Sequence, residues 1–267
     1  MDTALLLKAL LIGVVEGLTE FLPISSTGHI ILLVDLIGFD GPPGKVFEIV
    51  IQLGAILAVC VVKWRKLVDT LFGLFREPVA TRFAINVVIA FLPAAIVGVF
   101  AKTAITTYLF NPWTVSIALI VGGVAILAIE NYVGEGKVRE VDDFSLSLAL
   151  KIGCFQVISM FPGVSRSGAT IMGARILGVQ RAAATEFSFF LAIPTMLGAS
   201  VYSAYKSAGE LSGSNWTLIG IGFVAAFLAA LVVVRGLIAF ISRHGFGPFA
   251  WYRIALGFLM LGFLIAR

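Results

Sequence analysis

The sequence predicts an all-α polytopic membrane protein, with six transmembrane helices and two re-entrant, broken-helix hairpins arranged as an inverted-topology repeat. Three observations carry this. Apolar residues make up 60% of the 267-residue chain and charged residues only 13%, with a mean hydropathy of +1.05; a soluble domain carries about 25% charged residues. Apolar runs of about 20 residues, enough to cross a hydrocarbon core, recur along it. And two polar stretches, 12–30 and 152–170, align without a gap at an offset of 140, with Ile12/Ile152, Gly13/Gly153, Phe21/Phe161, Ser25/Ser165 and Gly28/Gly168 identical.

The elements follow in order. The first hairpin is 4–22, a break at Pro23, then 24–38. Spans follow at 46–62, 82–101 and 112–132. The second hairpin is 147–161, a break at Pro162-Gly163, then 164–180, with spans at 184–205, 216–240 and 246–266. Proline ends or kinks a helix and glycine loosens it. Backbone freed at membrane depth is tolerated only inside protein or against a wet cavity. Residues 147–161 reach about 22 Å at 1.5 Å per residue, short of a 30 Å core. Acidic Glu16 and Glu20 stand where a leader peptide would need small residues, so no cleaved signal is expected.

Charge sets the orientation. The loop 63–82 holds Lys63, Arg65, Lys66, Arg76 and Arg82 against Asp69 and Glu77, and belongs inside. The loops 102–111 (Lys102) and 206–215 (Lys206, Glu210) go outside. The turn near Arg243 and His244 reads inside, and the mixed 133–151 loop votes weakly. The first hairpin then enters from outside and the second from inside, each followed by three spans. This gives halves 1–132 and 141–267 of a single membrane domain, 1–267, in opposite orientations. The net charge of +4 serves topology, and no nucleic-acid partner is expected. Cys60 and Cys154 lie in apolar runs and read as packing residues.

Charge and hydroxyls are costly in hydrocarbon, and placing them there twice, in corresponding positions, points to one site made of two halves. Glu16 and Glu20 share a helix face. Two such acids are tolerable if a divalent cation binds between them or one holds a proton; the plainer reading is acids at a helix end dipping into headgroup water. Gly13 and Gly17, four apart, suit close helix packing. Past Pro23, Ser25, Ser26 and Thr27 precede an apolar helix. Its N-terminus offers unpaired amides and a positive dipole end to an anion. Any of the three hydroxyls serves as a nucleophile and His29 as base or acid; the alternative is an ordinary capped helix. In the second half Arg166 replaces Ser26, flanked by Ser165 and Ser167, with Thr170 a turn later. A guanidinium at bilayer depth suits phosphate oxygens, or it pairs with a glutamate. Opposed helix N-termini, hydroxyls, one arginine and two acids together fit a phosphate-plus-metal site.

EGLTEFLPISSTGH (16–29) and PGVSRSGAT (162–170) resemble the two signature motifs of the bacterial undecaprenyl-diphosphate phosphatase family, the bacitracin-resistance type. The resemblance runs the whole length, through FEIVIQLGAILAV at 47–59 and ATEFSFFLAIPTM at 184–196. It implies hydrolysis of undecaprenyl diphosphate to undecaprenyl phosphate, the carrier of envelope glycans. It also implies a divalent cation (Mg or Ca), the bacterial inner membrane and a site opening to the periplasm. The expected partners are a polyprenyl diphosphate lipid and the membrane, with a homodimer allowed. In this reading Ser26 attacks with His29 as base, or His29 or a glutamate activates water. Arg166, Ser25, Thr27, Ser165, Ser167 and Thr170 grip phosphate, and Glu16 and Glu20 hold the metal. Gln52 and Glu48, with Glu186 nearby in the other half, line the same cavity or bond within a helix interface. Arg253 helps hold the diphosphate or snorkels to the inner surface. Arg175 and Arg181 read as topology or headgroup residues. The rival from another class is a transporter or flippase for a polyprenyl phosphate or other small anion, since inverted repeats with broken helices are transporter architecture.

Overall fold

A computed structural model describes residues 3–42, 46–207 and 213–266. The side chains of Lys102 and Lys206, and all of Glu210, lie outside the described residues, and with them part of the external-loop reading.

The described chain is helical throughout: α1 (Thr3–Thr19), α2 (Ser26–Ile37), α3 (Val46–Val62), α4 (Trp64–Gly73), α5 (Pro78–Tyr108), α6 (Pro112–Tyr132), α7 (Leu146–Ile158), α8 (Arg166–Ile176), α9 (Arg181–Ser207), α10 (Gly213–His244) and α11 (Gly247–Ala266). Among the described residues five helices are long and apolar enough to cross a membrane, within α5, α6, α9, α10 and α11. The sixth predicted span, 46–62, is α3, which bends by 74° into α4. Alone, α3 reaches about 25 Å. Trp64, Leu71 and Phe72 are exposed along one side of α4, the arrangement of a helix lying at a membrane surface.

Both expected breaks are present. α1 stops at Thr19 and α2 begins at Ser26; α7 stops at Ile158 and α8 begins at Arg166. The two returning helices start alike. Ser25 and Ser165 are N-caps with φ of 70° and 78°, and each side chain accepts a bond from the amide three residues on, Gly28 or Gly168. A non-glycine residue there costs on the order of 1–3 kcal/mol and persists only where its surroundings impose it.

Small residues set how the helices pack. A Cβ on Gly13 would lie 2.3 Å from the Gly222 carbonyl, and one on Gly17 2.2 Å from that of Ala226, so α1 lies backbone-to-backbone on α10. α7 lies on α5 in the same way, a Cβ on Gly153 meeting the Ala90 carbonyl at 2.4 Å. Close approach of this kind replaces the hydrophobic drive that lipid removes.

The basic 63–82 loop and the mixed 133–151 loop share a face. Lys66 pairs with Asp142 at 2.6 Å, Arg82 donates to the Asp142 carbonyl and Asn86 to that of Phe144. This places the loop whose charges voted weakly. Arg175 and Arg181 join it rather than serving as lone topology signals. Glu130 accepts both Nε of Arg181 (3.1 Å) and the Phe246 amide, with Arg175 at 3.9 Å, and Arg175 also donates to the Val179 and Gly134 carbonyls. Glu186 forms an ion pair with Lys63.

Candidate active site

The two breaks meet. Ser167 of the second hairpin donates to the Leu22 carbonyl of the first at 2.7 Å, and Ser165 reaches the same oxygen at 3.5 Å. Between the hairpins lies a cavity of about 190 Å³. Glu20, Ser25, Ser26, Thr27, Gln52, Ser165 and Arg166 line it, with Ser159, Met160, Phe161, Pro162 and Gly163 of the second break, Phe110 of the α5–α6 turn, and Thr195, Met196 and Ala199 of α9.

Glu20 is its hub. One carboxylate oxygen accepts the Ser26 hydroxyl at 2.5 Å, and the other accepts Arg166 Nη2 at 3.0 Å. Three groups from two hairpins, 146 residues apart at the ends, thus form one chain. Glu20 lies in the turn after α1, and Ser26 and Arg166 are the first residues of α2 and α8. Helix starts leave amides without intrahelical partners, so both present N–H groups beside the charged pair. Arg166 Nη1 donates to the Ser188 carbonyl at 2.9 Å, and the Phe21 ring lies 5.8 Å from the guanidinium carbon. Its Nε is buried without a partner.

Glu16, 2% exposed, is one helical turn before Glu20. Glu20, Gln52 and Glu48 are the polar groups that act on it. Its Oε1 has no hydrogen-bond partner. A buried carboxylate oxygen without a donor is costly, and a hard cation satisfies it. No cluster of three or more His, Cys, Asp or Glu occurs among the described residues. A cation bound there by Glu16, Glu20 and Gln52 would satisfy Glu16 Oε1 and would need further ligands from water or phosphate.

The structure does not bring every predicted residue to the cavity. His29 turns away: Nδ1 bonds the Ser25 carbonyl at 2.8 Å and Nε2 the Tyr252 hydroxyl at 2.7 Å, the rings stacked at 5.5 Å. Both ring nitrogens are engaged, while the Ser26 proton already points at Glu20. Ser167 is engaged by Leu22. Thr170, 1% exposed, bonds to the Arg166 carbonyl and to Ser188 Oγ. These two brace the break without lining the cavity. Arg253 faces backbone rather than the cavity. It is 1% exposed and its donors all go to backbone carbonyls.

Ser188, Ser159 and Thr195 were not singled out from the sequence. Ser188 was within reach: at the strict offset of 140 it is the counterpart of Glu48, whereas Glu186 is two residues out of register.

Comparison with known proteins agrees in extent with this architecture. The family model described as "Bacitracin resistance protein BacA" matches residues 9–259. The chain is 57% identical over 262 residues to "Undecaprenyl-diphosphatase 2" of Paramagnetospirillum magneticum, covering 98% of this chain and 100% of that one. It is 54% identical to "Undecaprenyl-diphosphatase" of Methylococcus capsulatus (96% and 93% covered) and 52% to that of Pseudomonas putida (98% and 95%). With both breaks and the cavity between them inside the matched region, which covers most of the chain, the chain belongs to the bacitracin resistance protein BacA family.

Proposed function

We infer that this protein is an undecaprenyl-diphosphate phosphatase, a multi-pass membrane hydrolase that returns the lipid carrier of cell-wall and envelope glycans to its monophosphate. The observation that carries the reading is Glu20 joining the Ser26 hydroxyl to the Arg166 guanidinium at a cavity between two helix N-termini. That set is a nucleophile, a base in contact with it and a phosphate-binding cation. The full-length relatives bearing the undecaprenyl-diphosphatase name support the substrate.

The mechanism is derived from these contacts. The diphosphate enters the cavity with its isoprenoid tail among helices or lipid. Arg166 exchanges Glu20 for phosphate oxygens, and the amides at the starts of α2 and α8 take others. Glu20, whose Oε2 already accepts the Ser26 hydroxyl, withdraws the Ser26 proton. Ser26 Oγ bonds to the terminal phosphorus, the phosphoanhydride P–O bond breaks, and undecaprenyl phosphate leaves with the electron pair. Glu20 passes the Ser26 proton to the departing phosphate or to solvent; water then attacks the phosphoserine, Glu20 takes the water proton and returns it to Ser26 Oγ as that P–O bond breaks and inorganic phosphate leaves. Glu16, with Glu20 and Gln52, would hold a divalent cation, which would supply charge to offset that of the phosphate. Ser25 and Thr27 line the phosphate end, and His29 orients α2 from behind.

The finer topology is part of the same proposal. α1 meets α10 near Gly222, about 33 Å by helical rise from His244 and so away from the basic face. α7 begins beside Asn86 on that face. Hairpins entering from opposite sides, each packed on the corresponding span of the other half, support an inverted repeat of 1–132 and 141–267 in one membrane domain. Phe110, in the turn far from the basic loops, supports a cavity opening to the periplasmic side of the inner membrane.

The test is release of inorganic phosphate from farnesyl or undecaprenyl diphosphate by purified protein with Mg²⁺ or Ca²⁺, abolished by Ser26→Ala. Movement of the intact diphosphate across vesicles without release would favour the transporter instead.

A further inference from the structure

Arg253 lies in α11, far in sequence from either hairpin, yet its guanidinium reaches both breaks. Nη1 donates to the Pro23 carbonyl at 3.0 Å and the Val164 carbonyl at 2.9 Å. Nη2 donates to the Gly163 and Ala118 carbonyls at 3.0 Å each, and Nε to that of Leu119 at 3.3 Å. A guanidinium has five N–H groups, and here all five are engaged. Pro23, Gly163 and Val164 sit where a helix is interrupted, so their carbonyls need donors from elsewhere at membrane depth. The seat is built for this side chain: a Cβ on Gly122 of α6 would lie 2.1 Å from Nη2.

We propose that Arg253 is a positioning residue that fixes the spacing of the two half-sites, joining the break before Ser26 to the break before Arg166 without touching substrate. The proposal rests on the hydrolase reading. Pro23 precedes the nucleophile by three residues and Val164 precedes the phosphate-gripping arginine by two. In the free protein the hairpins are also tied by Arg166 to Glu20. That tie opens when Arg166 turns to phosphate, whereas the Arg253 bonds do not depend on substrate. They keep the frame when the ionic tie is gone. They also hold the hairpins as one body, so rocking one half against the other would break them.

Misplacing a reacting group by about 1 Å costs on the order of 100-fold in rate. Full-length protein in detergent, assayed with a prenyl diphosphate, separates kcat from KM. Arg253→Met is expected to lower kcat about 100-fold with KM changed less than about threefold. Arg253→Lys, with the charge but three donors, should lose about 10-fold. Gly122→Ala perturbs the seat while leaving the arginine, and should show the same fall in kcat at constant KM. Melting temperature and elution volume check that each variant is folded. Wild-type kcat in a folded Arg253→Met overturns the proposal. So does a loss confined to KM, which would make Arg253 a substrate ligand. Failure of all three variants to fold also overturns it, by making Arg253 a general strut of the bundle. A wild type that releases no phosphate sinks the hydrolase reading, and the positioning role with it.

Discussion

Removing Arg166 while leaving Glu20 should destabilise the protein, and removing both should restore it. The pair is 3.0 Å apart, with 11% and 7% of the side chains exposed. At an effective dielectric of about 20 its Coulomb attraction is about 5–6 kcal/mol, much of it offset by the desolvation of both charges. Arg166→Met leaves a carboxylate buried with only the Ser26 hydroxyl. Breaking one side of such a pair costs about 3–5 kcal/mol, and the surviving hydrogen bond puts this case near 3. Glu20→Gln/Arg166→Met removes both charges and should lie within about 1 kcal/mol of wild type, giving a coupling of at least about 2 kcal/mol. Denaturant titration of the four proteins of the cycle in micelles measures it. Activity should not follow stability: each single variant loses at least about 10³ in kcat/KM and the double variant regains none of it. A coupling under about 0.5 kcal/mol would refute the assignment of Glu20 as the buried partner of Arg166.

Three other outcomes are expected. His29→Gln keeps a group able to reach Tyr252 and should lower kcat by no more than about 10-fold, against at least about 10³ for Ser26→Ala, in the phosphate-release assay; equal losses would return the proton to His29. Gly163→Ala places a Cβ 2.6 Å from the Val115 carbonyl at a φ of +91°, and should cost about 2–4 kcal/mol of stability and most of the activity, read from melting and turnover. Chelation with EDTA should abolish turnover and Mg²⁺ or Ca²⁺ restore it, while Glu16→Gln raises the cation concentration needed for half-maximal rate at least about 10-fold.

The fold was legible where lipid constrains sequence. Five of the six predicted spans lie in helices long enough to cross, because apolar length is the requirement a bilayer imposes. The α3–α4 bend was not foreseen. Lys63 marks it, but a charge ends a span without stating the direction in which the chain continues. The site was legible in its residue types and its doubling. Glu20, Ser26 and Arg166 converge because each stands at a break, and a break at membrane depth must face protein or a cavity. Partner choice was not legible. From the sequence Arg253 and Arg166 are both arginines among apolar residues, and only the third dimension shows one facing a carboxylate and the other five carbonyls. The partners of His29 were hidden for the same reason. Three residues after Ser26 and four after Ser25, it returns to the Ser25 carbonyl, which helical geometry offers to any side-chain donor there. Ser188 and Thr195 stayed hidden because hydroxyls on a long apolar helix most often bond their own backbone, as Thr195 does to Leu191.

The most direct test of Ser26 of one hairpin attacking phosphorus held by Arg166 of the other is a rapid-quench experiment with substrate labelled in its terminal phosphate. Digestion and mass spectrometry then locate the label. The two-hairpin mechanism predicts a transient phosphoserine at Ser26 that decays as inorganic phosphate appears, and no label in Arg166→Met. Phosphate released at the wild-type rate with no residue labelled, or with the label on Ser25, would contradict it.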